Sequence, residues 1–471
     1  MKQEEEFKLA FDQIRQCEWV MDEFRGSFMN DRRLSRRLLV VARHFAQHPE
    51  APINQASENW NKTKAAYRFF DNKKVTDQRV LKRHYQRTVE RIDAQTDEVL
   101  VVQDSTFLNY SHMQCSTDLG PIGELNDSNM GLIMHTSFAL TSRGLPLGVL
   151  DQHLWARSPG EHGKSKNRAK LPIEEKESFR WIAALQRYSG RCTENNDVVT
   201  VCDSEADIYD LFSEATKIKA KFLIRSKYDR RTESGAHLQS FIDELPIAAT
   251  EDLTIPRQQD RAERQATVEI RFGRVICPYP RDKAIRNKLR SLSLYVVSVR
   301  EVDPPNGVEP LSWTLLTNVP TSKLSHARKR IKWYKLRWTI EVFHRILKSG
   351  CKVERARLEK NERRFPYLAL YSIIAWNLLL LTHYSRVNPR APATSLLSNK
   401  EADVLYSVTH HELTTNHSFT AKKAIVWLAQ LGGYLARKRD PAPGPTHIWR
   451  GWQRLQDFTT MFLLTTRQEC S

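Results

Sequence analysis

Two short apolar runs, each closed by an acid, constrain this chain most. They are Glu98-Val99-Leu100-Val101-Val102-Gln103-Asp104-Ser105-Thr106 and Asp197-Val198-Val199-Thr200-Val201-Cys202-Asp203. Both are rich in β-branched residues and read as buried strands. An acid at the end of such a strand sits where backbone direction is fixed and the next element turns away. After Asp203, Ser204-Glu205-Ala206-Asp207-Ile208-Tyr209 reads as the start of a helix. Two carboxylates on neighbouring strands can face a common site for divalent cations, which take oxygen ligands and in pairs lie about 3.5 to 4 Å apart. Each acid also has a plainer reading: Asp104 as a turn acid, Asp203 as the N-cap of the following helix.

Further on, Tyr334, Arg337, Glu341 and Lys348 stand at offsets of 0, 3, 7 and 14 in a segment that reads as helix. At about 100° per residue, those offsets place all four side chains within an arc of roughly 60°. One face then carries a phenol, two cations and a carboxylate, while Leu336, Ile340, Phe343 and Leu347 form an apolar face for a core. His344 and Arg345 flank the polar stripe and widen it. Such a surface suits phosphates gripped around a carboxylate that holds a metal ion. A solvated helix face with spaced charges is the plainer reading of the same residues.

The charge balance points to polyanions: 73 Lys and Arg stand against 55 Asp and Glu, for a net charge of +18 and a pI near 9.6. At 471 residues the chain is long for one core, and roughly two to four domains are expected. The seven cysteines (Cys17, Cys115, Cys192, Cys202, Cys277, Cys351 and Cys470) are odd in number and contain no C-x-x-C pair. This argues for reduced thiols in a cytoplasmic protein, against a disulfide scaffold and against a zinc module. Met1-Lys2-Gln3-Glu4-Glu5-Glu6 is charged with no apolar core behind it, so no secretory signal is expected. Phe365 to Leu381 is the one membrane-like stretch; it holds Pro366 and Asn377 and reads as a buried core helix, so no membrane partner is expected.

Along the chain, residues 1–75 read as a helical domain. Arg32, Arg36 and Arg43 fall on one side of a wheel, with Leu34, Leu38, Val41 and Phe45 on the apolar side, and Lys62, Lys64, Tyr67 and Arg68 form a second patch. Such stripes can lie along a phosphate backbone or simply be solvated. Residues 76–390 read as α/β: Leu132 to Leu140 and Leu145 to Leu150 form a hairpin around Ser142-Arg143-Gly144, Glu177 to Tyr188 is helical, and the Asp203 strand follows. That order fits an RNase H-like core. Ser158 to Lys170 is a basic loop that is either a connector or a DNA contact. Phe222-Leu223-Ile224-Arg225 adds a core strand, and Ala266 to Phe272, Leu292 to Val299 and Ser312 to Thr317 suggest a β-rich insertion over about 230–320. Residues 391–471 read as a helical domain with Trp427, Trp449, Trp452 and Phe458.

Tyr334, Arg337, Glu341 and Lys348 at this spacing resemble the Y-R-E-K signature of bacterial insertion-sequence transposases, cut-and-paste DDE enzymes of the retroviral-integrase superfamily. Asp104, Asp203 and Glu341 resemble that family's D, D and E in order, and Asp203 opens a D-x-E-A-D segment typical of the group. The similarity extends over Asp31-Arg32-Arg33 to Ala66-Tyr67-Arg68-Phe69, and to Leu431-Gly432-Gly433-Tyr434 with Trp449-Arg450-Gly451-Trp452. Leu311-Ser312-Trp313-Thr314-Leu315-Leu316-Thr317 resembles the segment whose tryptophan stacks on a base flipped from the transposon end. Two departures stand out: Ser204 where relatives carry a basic residue, and Arg345 where they carry lysine, which keeps the charge but changes donor geometry.

The resemblance implies an RNase H-like catalytic core with a β-rich insertion, flanked by an all-α N-terminal DNA-binding domain and an all-α C-terminal dimerisation domain. It implies Asp104, Asp203 and Glu341 as ligands of two Mg²⁺ ions, for which Mn²⁺ substitutes. Glu205 and Asp207 are expected to be helix and capping residues instead. Tyr334, Arg337, Lys348, His344 and Arg345 are implied as phosphate contacts, Trp313 and Arg225 as contacts to the extruded base, and Arg32 and Arg68 as contacts to transposon-end DNA. The implied partners are double-stranded DNA, both end and target, and a second copy of the chain in a synaptic homodimer on the nucleoid. The rival readings are a structure-specific RNase H-like endonuclease, a catalytically dead DNA-binding inhibitor, and a basic scaffold that needs no metal.

Overall fold

The computed structural model describes residues 18–27, 29, 31–57, 59–113, 116–123, 127–158, 171–193, 196–255, 263–279, 290–412 and 418–468. Its strands are β1 (Val99–Asn109), β2 (Gly120–Pro121), β3 (Met130–Thr141), β4 (Pro146–Trp155), β5 (Val198–Cys202), β6 (Lys221–Arg225), β7 (Ala249–Ile255), β8 (Arg264–Cys277), β9 (Leu292–Glu301) and β10 (Ser312–Thr317). The chain divides into two compact units, one of Met1–Ala94, Ser105–Lys164 and Glu341–Ser471, the other of Gln95–Asp104 and Ser165–Ile340. The expected boundaries near 75 and 390 follow sequence pattern, whereas these units gather segments far apart in the chain.

The second unit is built on a mixed sheet in the order β1, β5, β6, β10, β9, β8, β7. The β1–β5 and β5–β6 pairs are parallel and the others antiparallel. Val99, Leu100, Val101 and Val102 are all buried, as are Val199, Val201 and Cys202, which is why both runs are apolar on both faces rather than alternating. Helices Phe179–Ser189 and Tyr209–Lys217 supply the crossovers. Each presents one apolar side to the strands: Phe212 stacks on Phe222 at 5.0 Å, and the Tyr188 hydroxyl hydrogen-bonds Thr200. The strands expected as an insertion continue this sheet, because β10 pairs with β6 directly, Leu316 opposite Ile224. Along β7 burial alternates residue by residue, the mark of one solvated face.

The first unit packs helices on the β3–β4 hairpin. Thr141 and Leu145 close that hairpin, with Gly144 at a φ of 89° that suits glycine. Helix Asp77–Asp93 and helix Asn361–Val387 lie against β4. Helix Asn361–Val387 is long and apolar enough to cross a membrane by composition, yet 89% of its apolar window is buried inside the protein, as a core helix requires. Phe45, Phe70, Tyr367 and Tyr371 cluster with ring centroids 4.6 to 6.2 Å apart, joining the N-terminal helices to it. Side-chain caps start two of the N-terminal helices: Asp31 accepts from Arg33 N at 2.8 Å and Asn59 from Lys62 N at 3.0 Å.

A buried ion network also ties this unit. Glu23 meets His84 Nδ1 at 2.5 Å and receives Arg91 at 2.8 Å, while His84 Nε2 accepts from Val149 N at 2.9 Å. Burial works to raise the Glu23 carboxyl, but His84 and Arg91 hold it down at about 2. Near the C-terminus, helices Ala421–Leu431 and Pro445–Gln468 cross at two glycines. A Cβ on Gly451 would stand 1.7 Å from the Leu428 carbonyl oxygen, and one on Gly432 1.9 Å from that of His447. The Gly432 and Gly451 motifs are therefore required by a crossing inside one chain. Trp452 donates to the Ala46 carbonyl at 2.9 Å, so the C-terminal helix docks on the N-terminal helices.

Candidate active site

In the second unit, β1 and β5 run parallel with Val101 opposite Thr200 and Val102 opposite Val201. Continuing that register by two residues sets Asp104 level with Asp203. Asp203 is the first residue past β5, as expected, but Asp104 lies inside β1, which runs on to Asn109 instead of closing at the acid. Both carboxylates are half-buried. Asp203 also caps the short turn Ser204–Ala206, its Oδ1 accepting from Glu205 N at 2.9 Å. The capping and ligand readings are thus compatible in geometry, and the helix proper begins only at Tyr209. Cys202, the last residue of β5, registers the charge: burial pushes its thiol well up, Asp203 and Asp104 push it further, and Arg337 opposes.

Four more of the expected residues gather around Asp203. Tyr334 lies edge-on to Trp313 at 5.2 Å, and Arg337 stands 6.0 Å from the Tyr334 ring. Arg225, at the end of β6, pairs across the sheet with Leu315, donates to the Ser312 carbonyl at 3.2 Å and hydrogen-bonds Tyr334. Burial raises the Tyr334 phenol above its ordinary value, Arg337 and Arg225 pull it back, and Asp203 adds to the rise. The phenol is therefore a neutral hydrogen-bond donor. At 6% exposure Tyr334 is packed against the sheet rather than spread on an open helix face, whereas Trp313 and Arg337 stay partly accessible.

The segment 324–350 is not the single ideal helix that the arc of roughly 60° assumes. One α-helix spans Leu324–Leu336, a second Trp338–Arg345, and a π-helical turn Ile346–Gly350 closes the segment. At the joint the bonds tighten to three residues, Arg337 N to Tyr334 O and Ile340 N to Arg337 O. At the end they loosen to five, Cys351 N to Ile346 O at 2.8 Å. A constant step of 100° therefore does not carry from Tyr334 to Lys348.

In the first unit, Glu341 is half-buried, Arg345 is exposed, and Lys348 faces Glu354 at 3.7 Å. Glu354 also receives Asn109 N at 2.7 Å, an anchoring role with no motif or periodicity to announce it. His344 departs from its expected place beside the polar stripe. It is 6% exposed, next to Phe343, which packs on Phe138 at 4.8 Å. Burial, helped by the Lys348 ammonium, holds the ring down at about 3, so His344 is neutral at physiological pH and is no cation for phosphate. Arg32, Arg36 and Arg68 are exposed, but Arg43 is buried, because every residue from Val41 to Gln47 faces neighbouring helices. All of the expected basic loop except Ser158 lies outside the described residues.

Two carboxylates level on neighbouring strands, with a guanidinium close by, have the donor chemistry of a hard-cation site. Among the described residues, however, no group of three or more His, Cys, Asp or Glu is drawn together closely enough to hold a metal ion. Asp104 and Asp203 fit such a site as a pair within the second unit. Asp207, expected as a capping residue, is a loop organiser. It is buried and accepts from Lys227 N at 2.7 Å, Tyr228 N at 3.1 Å, Ser226 Oγ at 3.1 Å and Arg230. Glu205 pairs with Arg180 at 2.8 Å. The cysteines Cys192, Cys202, Cys277 and Cys351 are free thiols.

A family model for transposase DNA-binding matches residues 16–75, the helices that carry Arg32 and Arg68. A second, for the transposase DDE domain, matches residues 176–378, which include Asp203, Trp313, Tyr334, Arg337 and Glu341 and begin after Asp104. One solved structure, the cryo-EM structure of a piggyBac transposase synaptic complex with hairpin DNA, is similar at a TM-score of 0.33 and 8% identity, over 80% of this chain and 56% of that chain. At that score the likeness carries no argument, and this chain spans little more than half of that neighbour. The two matched domains together take in more than half of the sequence: the chain belongs to the DDE transposases.

Proposed function

We propose that this chain is a Y-R-E-K transposase with an RNase H-like core that cuts the ends of its own DNA element and joins the 3′-OH ends to target DNA. The observation that carries this reading is the register that sets Asp104 level with Asp203 beside Arg337 and Tyr334. Asp104, Asp203 and Glu341 would hold two Mg²⁺ ions, with Mn²⁺ as a substitute, supplying Lewis acidity to the attacking and leaving oxygens of a phosphodiester. That Glu341 joins the two aspartates in one site is part of the proposal.

The remaining roles belong to side chains. Tyr334 donates its neutral phenol O–H to a phosphate oxygen, and Arg337 and Lys348 neutralise charge beside the scissile bond. Arg345 extends that grip, and His344 supports the helix from within the core. Trp313 stacks a base extruded when the freed 3′-OH attacks the opposite strand to form a hairpin, with Arg225 beside it; stacking of this kind is worth about 1 to 3 kcal/mol. Arg32 and Arg68 contact the transposon end, and a homodimer pairs the two ends on the nucleoid.

A second reading is end binding without catalysis, which the transposase DNA-binding match over residues 16–75 supports by itself. Both are tested by Mg²⁺-dependent cleavage of the element's terminal DNA by wild type and by Glu341→Ala, with binding of the same duplex followed in parallel. A 3′ nick and a hairpin from wild type, with binding but no cutting by the variant, is the expected result. Binding by both and cutting by neither selects the non-catalytic reading, and nicks without any joined product select a structure-specific nuclease.

A further inference from the structure

From Val99 to Asp104 and from Val198 to Asp203, each acid-bearing run is apolar except at one position before its acid: Gln103 in β1 and Thr200 in β5. Both side chains are buried, at 0% and 2% exposure. β6, the third parallel strand, carries neither aspartate, and its interior Phe222-Leu223-Ile224 has no polar residue. A buried polar side chain costs free energy unless it is hydrogen-bonded, and an aliphatic one would fill either place without that cost. The register and the two-residue alternation of a strand put Gln103 and Thr200 on one face of the sheet and Asp104 and Asp203 on the other.

On that opposite face the two meet a third polar group. Helix Phe179–Ser189 lays Tyr188, itself buried, over the strands. The Tyr188 hydroxyl hydrogen-bonds Thr200, and the Gln103 side chain hydrogen-bonds the same hydroxyl. A phenol O–H both donates and accepts, so one oxygen serves both strands. Three elements are thus joined at one point, directly behind the two acids.

We propose that Gln103, Tyr188 and Thr200 are positioning residues that lock the register of β1 on β5 and so hold Asp104 level with Asp203 before DNA arrives. The proposal rests on the reading of the two aspartates as ion ligands. Valine and leucine on both faces give a slipped strand much the same packing, whereas the three-way contact closes in one register alone. A slip of two residues keeps every side chain on its own face and carries one acid past the other by about 6.6 Å, more than the roughly 3.5 to 4 Å between paired ions. The polar interruptions therefore specify what the apolar residues leave open.

The test removes the polar groups without leaving any of them unpaired. Full-length Gln103→Leu/Tyr188→Phe/Thr200→Val replaces all three by apolar groups of similar shape, a change close to neutral for folding. Thr200→Ser keeps the hydroxyl, and Asp203→Asn marks the ion binding that belongs to the aspartate pair. For each, Mn²⁺ binding without DNA is read by paramagnetic relaxation of water, alongside thermal unfolding and Mg²⁺-dependent end cleavage. In the triple variant the unfolding temperature should be unchanged or raised, while Mn²⁺ affinity at the pair weakens about tenfold or more and cleavage falls at least as far. Thr200→Ser should stay within about twofold of wild type in both. A merely structural role would move cleavage in step with unfolding and leave the ion affinity of the folded protein alone. If the triple variant does not fold, Thr200→Val alone decides by the same readouts. Wild-type ion affinity in the folded variant overturns the register lock and leaves the transposase reading intact. A wild type that cleaves yet binds no Mn²⁺ without DNA also overturns the lock, since the pair would not be set in advance. A wild type that neither binds Mn²⁺ nor cleaves overturns the parent reading and this one with it.

Discussion

Asp104 and Asp203 are held by strands, whereas Glu341, His344 and Lys348 are held by a helix, and the two elements turn sequence into position by different rules. In the parallel pair, register is a property of backbone hydrogen bonds. Once Val101 lies opposite Thr200, the acid three residues beyond each is level with the other. In the helix, facing accumulates with every residue, so two tightened bonds at Arg337 and a π turn at Ile346 shift everything downstream. Register therefore fixes the two strand-borne acids relative to each other and does not reach the helix-borne acid.

The largest expected effect tests that contrast directly. Asp104→Asn and Asp203→Asn should each reduce Mg²⁺-dependent end cleavage by about a thousandfold, the loss of several kcal/mol of charge stabilisation, with end binding unchanged. Glu341→Gln should do the same. If Glu341→Gln keeps more than about a tenth of the wild-type rate, the aspartate pair works without the helix and the three-acid assignment is wrong.

Next in size are the two sides of the helix itself. Phe343→Ala should cost about 3 to 5 kcal/mol in denaturant unfolding, because Phe343 is fully buried against Phe138. Arg345→Ala, on the exposed side, should change stability by no more than about 0.5 kcal/mol. His344 sharpens the contrast through pH. Its folded value, held down at about 3, lies below the ordinary 6.5, so the unfolded chain takes up the proton first. Its contribution is complete above about 6.5 and is lost as pH falls toward 3. Wild type should lose stability over that window more steeply than His344→Gln, as followed by thermal unfolding at intervals of pH. Equal slopes would place the ring in solvent, where the sequence pattern had it.

Much of this was legible, and the reasons differ by residue. The β1 and β5 runs could be read because a strand buried on both faces has few polar positions to confuse it. The capping reading of Asp203 was legible because a cap is a local hydrogen bond. The runs that form β8, β9 and β10 were read as strands and β7 was not, and only pairing of β10 with β6 shows that they extend the same sheet. The loop residues Lys227 and Tyr228 carry no periodic signal. They are placed by the buried Asp207, which accepts from both their backbone N–H groups, and that is a long-range fact. Trp313 lies between these cases: its strand was legible, and its neighbour Tyr334 was not. Trp313→Ala should cost about 1 to 3 kcal/mol in hairpin formation, read as the hairpin-to-nick ratio, while Trp313→Phe should keep most of it. An unchanged ratio in Trp313→Ala would remove the base-stacking role.

The smallest expected effect separates the basic residues of the N-terminal helices. Arg32 and Arg68 are exposed and lie in the segment matched to transposase DNA-binding, whereas Arg43, on the same helix as Arg32, is buried. A phosphate contact releases counterions, so it appears in the salt dependence of binding rather than in stability. Arg32→Ala and Arg68→Ala should each lower the slope of log binding against log salt by about one, with unfolding unchanged. Arg43→Ala should leave the slope alone and destabilise the helix packing, since the last turn from Val41 to Gln47 is enclosed on every side. Titration of end-DNA binding at several salt concentrations reads all three. A reduced slope for Arg43→Ala would mean that DNA reaches the packed side of that helix, and the N-terminal helices would then have to open before they bind.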